Sequence, residues 1–297
     1  MAYYVHSSND SRFVLRNSAE TLTATFYSGE TATDADGSVT IGITDEAGAT
    51  VVASGTSTTS AGSGVYTYSL AGQSNLKKLT CTWSGTWGSA MEFTTTTEVV
   101  GNFYATPAEV RAMDMISGES STFPAADVVG AINYATAVID DYCGVSFVQR
   151  YKRNVLNGTD DQSIRVTEMF PTTLLAASID GTALTSSEIS DCALFEDGTL
   201  LRKDKTWTYT EPGNKVILEY EHGVDTTAPE DIRWAARTLA RYHLLEQVSR
   251  LPDRAVQIQS EFGSITLSQP GGFTRPTPLP DVNVILVKHR YRPPVAI

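Results

Sequence analysis

Residues 124–147 read PAADVVGAINYATAVIDDYCGVSF. Within them Val128, Ile132, Ala135, Ile139 and Tyr142 recur at four- and three-residue steps, and Val129 and Val138 widen the stripe. That spacing gathers apolar side chains on one side of an α-helix. Pro124 presets the entry, and Gly144 can take the left-handed conformation that stops a helix. The pattern predicts a helix over about 124–143 with one buried face.

Outward from this segment the chain carries three more helix signals. Thr106-Pro107-Ala108-Glu109 is a capping box with proline in the first turn, and it predicts a helix over about 107–117 that ends near Ser117-Gly118. Pro229, Glu230 and Asp231 open a longer helix over about 229–250, with Ile232, Ala235, Ala236, Leu239, Tyr242 and Leu245 as its apolar stripe. Arg233, Arg237 and Arg241 stand four apart on another face. They read either as a solvated face balanced by local acids or as an oligomer interface. The last helix spans about 281–291 and follows the proline-rich FTRPTPLP. Val282, Ile285, Leu286 and His289 share one side of it, and Lys288, Arg290 and Arg292 crowd its end. It is too short to be stable alone. Between the last two helices, residues 255–268 read as an extended excursion or hairpin.

Upstream, residues 1–100 hold 33 Ser or Thr and no Pro, with short alternating runs in place of helical stripes. Leu22, Ala24 and Phe26 alternate. So do Val39, Ile41 and Ile43; Tyr66, Tyr68 and Leu70; and Leu79, Cys81 and Trp83. Trp87, Met91 and Phe93 follow. Period two means one buried face. Six or seven such strands at about ten-residue spacing predict a β-sandwich, similar in architecture to an immunoglobulin-like domain, without the Cys…Trp…Cys framework. Trp83 and Trp87 read as core, with a carbohydrate platform as the alternative. TDADGS, with Asp34 and Asp36, lacks the full spacing of a calcium loop.

Residues 147–222 return to strands, with candidates at 147–153, 164–166, 174–179, 193–195, 200–202, 207–210 and 215–220. Asp180-Gly181 and Asp197-Gly198 mark tight turns. The expected organisation is a two-domain chain: residues 1–100 as an all-β immunoglobulin-like sandwich, and residues 101–297 as a helical domain with an inserted β module over about 147–222.

The chain has 297 residues and a formal net charge of −12. Such a balance argues against coating DNA or RNA, because that affinity comes from neutralising phosphates. Cys81, Cys143 and Cys192 are too few and scattered for a disulfide scaffold or a zinc site. No run approaches a membrane span, and the first residues lack the pattern of a secretory signal. The four histidines, at 6, 222, 243 and 289, form no spaced ligand set. His222, at a strand end, reads as a turn residue or as a base paired with an acid. Asp140-Asp141 is a poor metal clamp, since adjacent helical residues diverge. Phosphate loops, dinucleotide turns and nucleophile elbows are missing. The expectation is a protein without catalytic, cofactor or metal site.

From Tyr104 onward, motifs in order resemble the head-to-tail connector, or adaptor, family of long-tailed bacteriophages. Tyr104 to Val110 resembles the family's opening helix, and Ala131 to Phe147 is similar to its A-x-x-x-I-D-x-x-C/T-G-R-x-F stretch, with Val145 where Arg is usual. Trp207 and Val216 to Gly223 look like the end of the inserted β module, and Pro229 to Leu245 resembles P-x-D-I/L-R-x-A-A-x-x-L-A-R. Ser249 to Ala255 looks like the segment entering an extended loop. Arg275 to Val282 is similar to P-T-G-I/L-P-E/D-V-D, with Pro278 replacing glycine and, next in line, Asn283 replacing the second acid.

The resemblance implies a structural virion protein made in the host cytoplasm. It implies a ring at the neck below the portal, commonly of twelve subunits, that extends the DNA channel and docks the next connector, stopper or tail component. DNA would pass through the lumen without sequence-specific binding, which suits an acidic chain. Arg233, Arg237 and Arg241 are then the candidate oligomer interface. Val282, Ile285, Leu286, Lys288, His289, Arg290 and Arg292 are the candidate portal-docking residues. A carbohydrate-binding or host-adhesion protein using the sandwich is the alternative, and a small hydrolase comes third.

Overall fold

The computed structural model describes residues 3–7, 12–114, 116–119, 121–209, 215–248, 257–260, 263–266 and 277–291. Two units divide the chain: Met1–Phe103 with Val148–Thr226, and Tyr104–Phe147 with Thr227–Ile297. The β insertion therefore groups with the first hundred residues, and the helices group together. The architecture is a two-domain one, with an N-terminal mixed and antiparallel β region followed by a region that combines helices with a smaller sheet.

The first hundred residues form β1 (Tyr3–Ser7), β2 (Arg12–Leu15), β3 (Glu20–Ser28), β4 (Thr31–Ala32), β5 (Thr40–Asp45), β6 (Thr50–Ser57), β7 (Thr59–Gly62), β8 (Val65–Leu70), β9 (Lys77–Trp87) and β10 (Ser89–Val100). One sheet runs β1-β3-β8-β7, with β4 on β3, and the other runs β2-β10-β9-β5-β6. Pairing is antiparallel except between β2 and β10. Among the described residues, ten strands stand in place of the expected six or seven. The additional ones include β4 and β7, short and without an apolar alternation that sequence could show. The two sheets close on one core. Leu22, Phe26, Tyr66 and Leu70 meet Ile41, Ile43, Leu79, Cys81, Trp83 and Trp87 there. Trp83 Nε1 donates to Thr95 Oγ1 (3.2 Å) and Trp87 Nε1 to the Thr33 carbonyl (3.3 Å). Both indoles are spent on the core, so neither Trp83 nor Trp87 presents an exposed ring to a sugar. Asp34 and Asp36 accept hydrogen bonds from the Gly64 and Gly88 amides, which makes them turn anchors.

The chain then enters α1 (Pro107–Arg111) and α2 (Ala125–Cys143) of the second unit. It returns to the first unit for β11 (Arg150–Asn157), β12 (Ser163–Arg165), β13 (Pro171–Ile179), β14 (Thr182–Ala183), α3 (Ser186–Ser190), β15 (Cys192–Leu194), β16 (Thr199–Arg202) and β17 (Lys215–His222). These make a β11-β17-β13-β14 sheet and a β12-β16-β15 sheet. Val216, Leu218 and Tyr220 alternate onto a core with Ile164, Leu174, Leu200 and Trp207. Asp180 and Gly181 both take positive φ (49° and 77°) in the hairpin between β13 and β14, the backbone that a two-residue turn demands. Residues 207–209 are not the expected strand. The Trp207 amide donates to the Asp161 carbonyl (2.8 Å), and its carbonyl accepts from the Thr159 and Asp160 amides, so a loop takes the bonds that a ladder would need. Tyr151 on β11 reaches the sandwich core, and Arg150 forms an ion pair with Glu98 (2.9 Å).

The second unit is completed by α4 (Glu230–Val248), the hairpin β18 (Gln257–Ser260) with β19 (Gly263–Thr266), and α5 (Pro280–His289). Helices α1, α2, α4 and α5 pack on one another. Val128, Ala131, Ile132, Ala135 and Ile139 of α2 are buried, as are Ile232, Ala235, Ala236 and Leu239 of α4. The alanines let the two axes approach closely. Gly144 ends α2 at φ 71°. Helix α1 stops at Arg111, short of the expected 117, because the amides of Met113, Ile116 and Glu119 bond to carbonyls three residues back. This turn-by-turn path puts Ile116 in the core. Helix α5 begins one residue early, with Pro280 in its first turn, and ends at His289 because Arg290 is extended and Tyr291 turns its amide to the Cys143 carbonyl (2.9 Å). Residues 249 and 250 of the expected long helix, and Arg292, lie outside the described residues.

Candidate assembly surface

The arginines of α4 converge on the start of α1. Thr106 and Glu109 form the capping box that the sequence announces: Glu109 accepts from the Thr106 amide (2.8 Å) and hydroxyl (3.0 Å). The same carboxylate accepts from Arg233, and Arg237 Nη1 lies 3.5 Å away. Arg233 Nη1 also donates to Glu230 (3.0 Å), and Arg237 reaches Glu230 through its other nitrogen. Partial burial works to raise the Glu109 pKa, but the Thr106 bonds and the two guanidinium groups hold it below the ordinary carboxylate value. Arg241 Nε donates to the Asp114 carbonyl (2.8 Å). All three candidate interface arginines are thus engaged within their own unit, tying α4 to α1 and to the chain just after it.

Helix α5 presents its two faces differently from the sequence expectation. Val282 and Leu286 are fully buried and Ile285 is half-buried, so the stripe named for docking faces largely into the bundle. Lys288 Nζ and His289 Nε2 both meet Asp231 Oδ2 at the start of α4, at 2.8 and 2.7 Å. Partial burial raises the Asp231 pKa, but these two partners outweigh it and bring the group down to about 2. Arg290 lies over the Tyr142 ring, 5.3 Å from its centroid. The large apolar residues of α5 left outward are Val284, 70% exposed, and Val287, 50% exposed. The sequence reading missed both. The signal was available, since an apolar residue two positions off the buried stripe must face away from it.

Behind this surface the bundle is held by buried polar contacts. The Tyr104 hydroxyl donates to Asp140 and accepts from the Phe147 amide (2.6 Å), and burial together with Asp140 pushes its pKa well up. Asp140 is therefore a hydrogen-bond acceptor inside the bundle. Cys143 is buried, and burial raises its thiol to about 12. His243 stacks on Tyr134 at 4.3 Å between ring centroids. In the first unit His222 is buried, which holds its pKa below the ordinary imidazole value, and Glu168 opposes that shift. Among the described residues no group of three His, Cys, Asp or Glu side chains is arranged to hold a metal.

Residues 106–253 match the head completion protein family. Over that stretch the chain is related to head completion proteins. The match begins at the Thr106 cap and runs past α4; the sandwich and α5 lie outside it. Among solved structures, the chain is similar to one from the neck of an empty GTA particle computed with C6 symmetry, at 16% identity and a TM-score of 0.39, covering 53% of this chain and 83% of that one. It is also similar to a chain from the virion of a native gene transfer agent particle, at 17% identity and a TM-score of 0.37, with the same coverage. No curated protein sequence matches the chain.

Proposed function

We propose that the chain is a structural virion protein of the head–tail neck. In this reading it forms a homo-oligomeric ring below the portal, extends the DNA channel and docks the next connector or tail component, with no catalytic role. The match of residues 106–253 to head completion proteins carries the proposal. The ordered motifs from Tyr104 onward point the same way. A net charge of −12 suits a lumen through which DNA moves, because each phosphate–cation contact would add affinity and slow passage. The outward valines of α5 offer an exposed apolar surface to a partner such as the portal, with Lys288 and Arg290 next to them in sequence. The sandwich is an immunoglobulin-like addition to this body.

The test is to add purified protein to DNA-filled heads that lack it and to image the necks. Annular density at one vertex is expected. Heads that stay bare at saturating protein would overturn the proposal.

A further inference from the structure

His222 ends β17 with its side chain buried, 7% exposed, and among the described residues no hydrogen-bond partner meets either ring nitrogen. The sheet register sets it beside Arg150 on β11 and Pro171 on β13. One row along the same face, Lys152 stands beside Tyr220. An imidazolium here would join two cations. The acids around it already serve other partners: Glu98 pairs with Arg150 (2.9 Å) and Glu168 with Lys152 (2.8 Å). Glu221, on the other face of β17, pairs with Arg16 (3.7 Å). Residues 171–174 of β13 bring no titratable group, and Tyr220, raised to about 12 by burial, stays neutral. Burial pushes the His222 pKa down to about 4; Glu168 opposes that shift, and Arg150 and Lys152 add to it.

Residues 166–171 are tied to this end of the sheet. Thr167 N donates to Asn154 Oδ1 (3.0 Å) and Glu168 N to the Tyr220 hydroxyl (3.3 Å). Phe170 N donates to the Glu196 carbonyl (2.9 Å), and the Phe170 carbonyl accepts from Gly223 N (3.0 Å). The segment is bent against its preference, because Phe170 takes a φ of 55°, in the left-handed region that bulky side chains rarely adopt. Such backbone persists only where surrounding contacts over-determine it. His222 adjoins those contacts on both sides, next to Gly223 in sequence and beside Pro171 in the sheet.

We propose that residues 166–171 are an acid-released strap, freed from the β11–β17 face when His222 takes up a proton. Release admits water to an imidazolium that has no acid of its own, and it lets the bent backbone at Phe170 relax. The released state binds the proton at the ordinary imidazole value of 6.5, and the strapped state binds it more weakly. The strapped state is therefore fully favoured above about pH 6.5 and loses its advantage as pH falls toward about 4. The device is independent of the assembly reading above.

Hydrogen exchange of the full chain, followed by mass spectrometry and corrected for its intrinsic pH dependence, tests the strap. From about pH 7 to about pH 5, protection of the Thr167, Phe170 and Gly223 amides should fall about tenfold, while the β17 amides from Val216 to Tyr220 keep theirs. His222→Asn, neutral at every pH, should abolish the fall. Lys152→Ala leaves Glu168 free to pair with the imidazolium, so it should flatten the fall whatever it does to protection at neutral pH. Lys152 is 42% exposed, which keeps the test decisive if His222→Asn does not fold. A wild type without the fall overturns the strap, as does a wild-type fall in either variant. Loss of protection in β17 in step with residues 166–171 would also overturn it, by showing unfolding of the whole module.

Discussion

Asn283 and Thr277 hold each other by three hydrogen bonds. Asn283 Oδ1 accepts from the Thr277 amide (3.0 Å) and hydroxyl (2.8 Å), and Asn283 Nδ2 donates to the Thr277 carbonyl (2.8 Å). Both residues are buried. The clasp fixes the end of the proline-rich connector against the first turn of α5, where Pro280 supplies no amide.

This arrangement explains why an amide stands where the adaptor resemblance has an acid. A carboxylate could accept both Thr277 bonds but would set a charged oxygen against the Thr277 carbonyl. Asn283→Asp and Asn283→Ala should each destabilise α5 by about 1–3 kcal/mol, the usual cost of buried polar groups left without partners. Hydrogen exchange of the α5 amides reads the effect. Unchanged protection in both variants would show that the clasp contributes nothing.

Glu109 combines a helix cap and two ion pairs in one carboxylate. Glu109→Gln keeps bonding capacity toward Thr106 but removes the charge, so it should cost less than Glu109→Ala. The ion pairs are partly exposed and worth about 0.2–1 kcal/mol each. The deficit of Glu109→Gln should shrink as salt rises, since screening already weakens these pairs in the wild type. Thermal melts at low and high salt measure it, and a salt-independent deficit would assign the effect to the cap alone.

Tyr151 belongs by sequence to the β insertion and by packing to the sandwich core. We expect residues 1–100 to fold alone, with a strand spectrum almost free of helix. That fragment should nonetheless be less stable than the same sandwich in the whole chain, because it lacks Tyr151 and the Arg150–Glu98 pair. Tyr151→Ala in the full chain should cost roughly 3–5 kcal/mol, as for other large core truncations. Urea unfolding followed by tryptophan fluorescence compares them, since Trp83 and Trp87 sit in that core.

Particular residues show where sequence was informative and where it was not. The alternation of Leu22, Ala24 and Phe26 and the stripe from Val128 to Ile139 settled strand and helix because one repeating face had to be buried. Trp207 defeated the same logic. Its environment is β-like in burial, but its backbone bonds go to Asp161, Thr159 and Asp160, partners set by tertiary structure. The end of α1 was hidden because Met113 and Ile116 continue an apolar pattern that the chain satisfies by turns. At the candidate surface, the arginine spacing was plain, but Glu109, the shared partner of Arg233 and Arg237, is 124 residues from Arg233 and had no local signal. The apolar content of α5 was also visible; which valines face outward required knowing what α5 packs against.

The Val284 and Val287 face of α5 gives a cleaner test of portal docking than removing the helix, which would also strip Val282 and Leu286 from the bundle core. Val284→Asp with Val287→Asp should leave stability within roughly 0.5 kcal/mol per site, as for exposed positions. The same pair should abolish co-sedimentation with DNA-filled heads. Full attachment of a normally melting double variant would remove this face from the docking role.

Asp231 links α5 to α4 through Lys288 and His289, and its pKa gives the link a pH dependence. The folded value of about 2 lies below the ordinary 3.8, so the folded state binds the proton more weakly than the unfolded chain does. The stabilisation is therefore fully present above about pH 4 and is lost as pH falls through about 2. Exchange protection of the α5 amides should decline across that window in the wild type. In Asp231→Asn this part of the slope should vanish, with weaker protection at neutral pH. Lys288→Ala should move the decline to higher pH by removing one of the cations that lower the Asp231 pKa. A variant at Asp231 that keeps the wild-type slope would place the acid-sensitive group elsewhere in the unit.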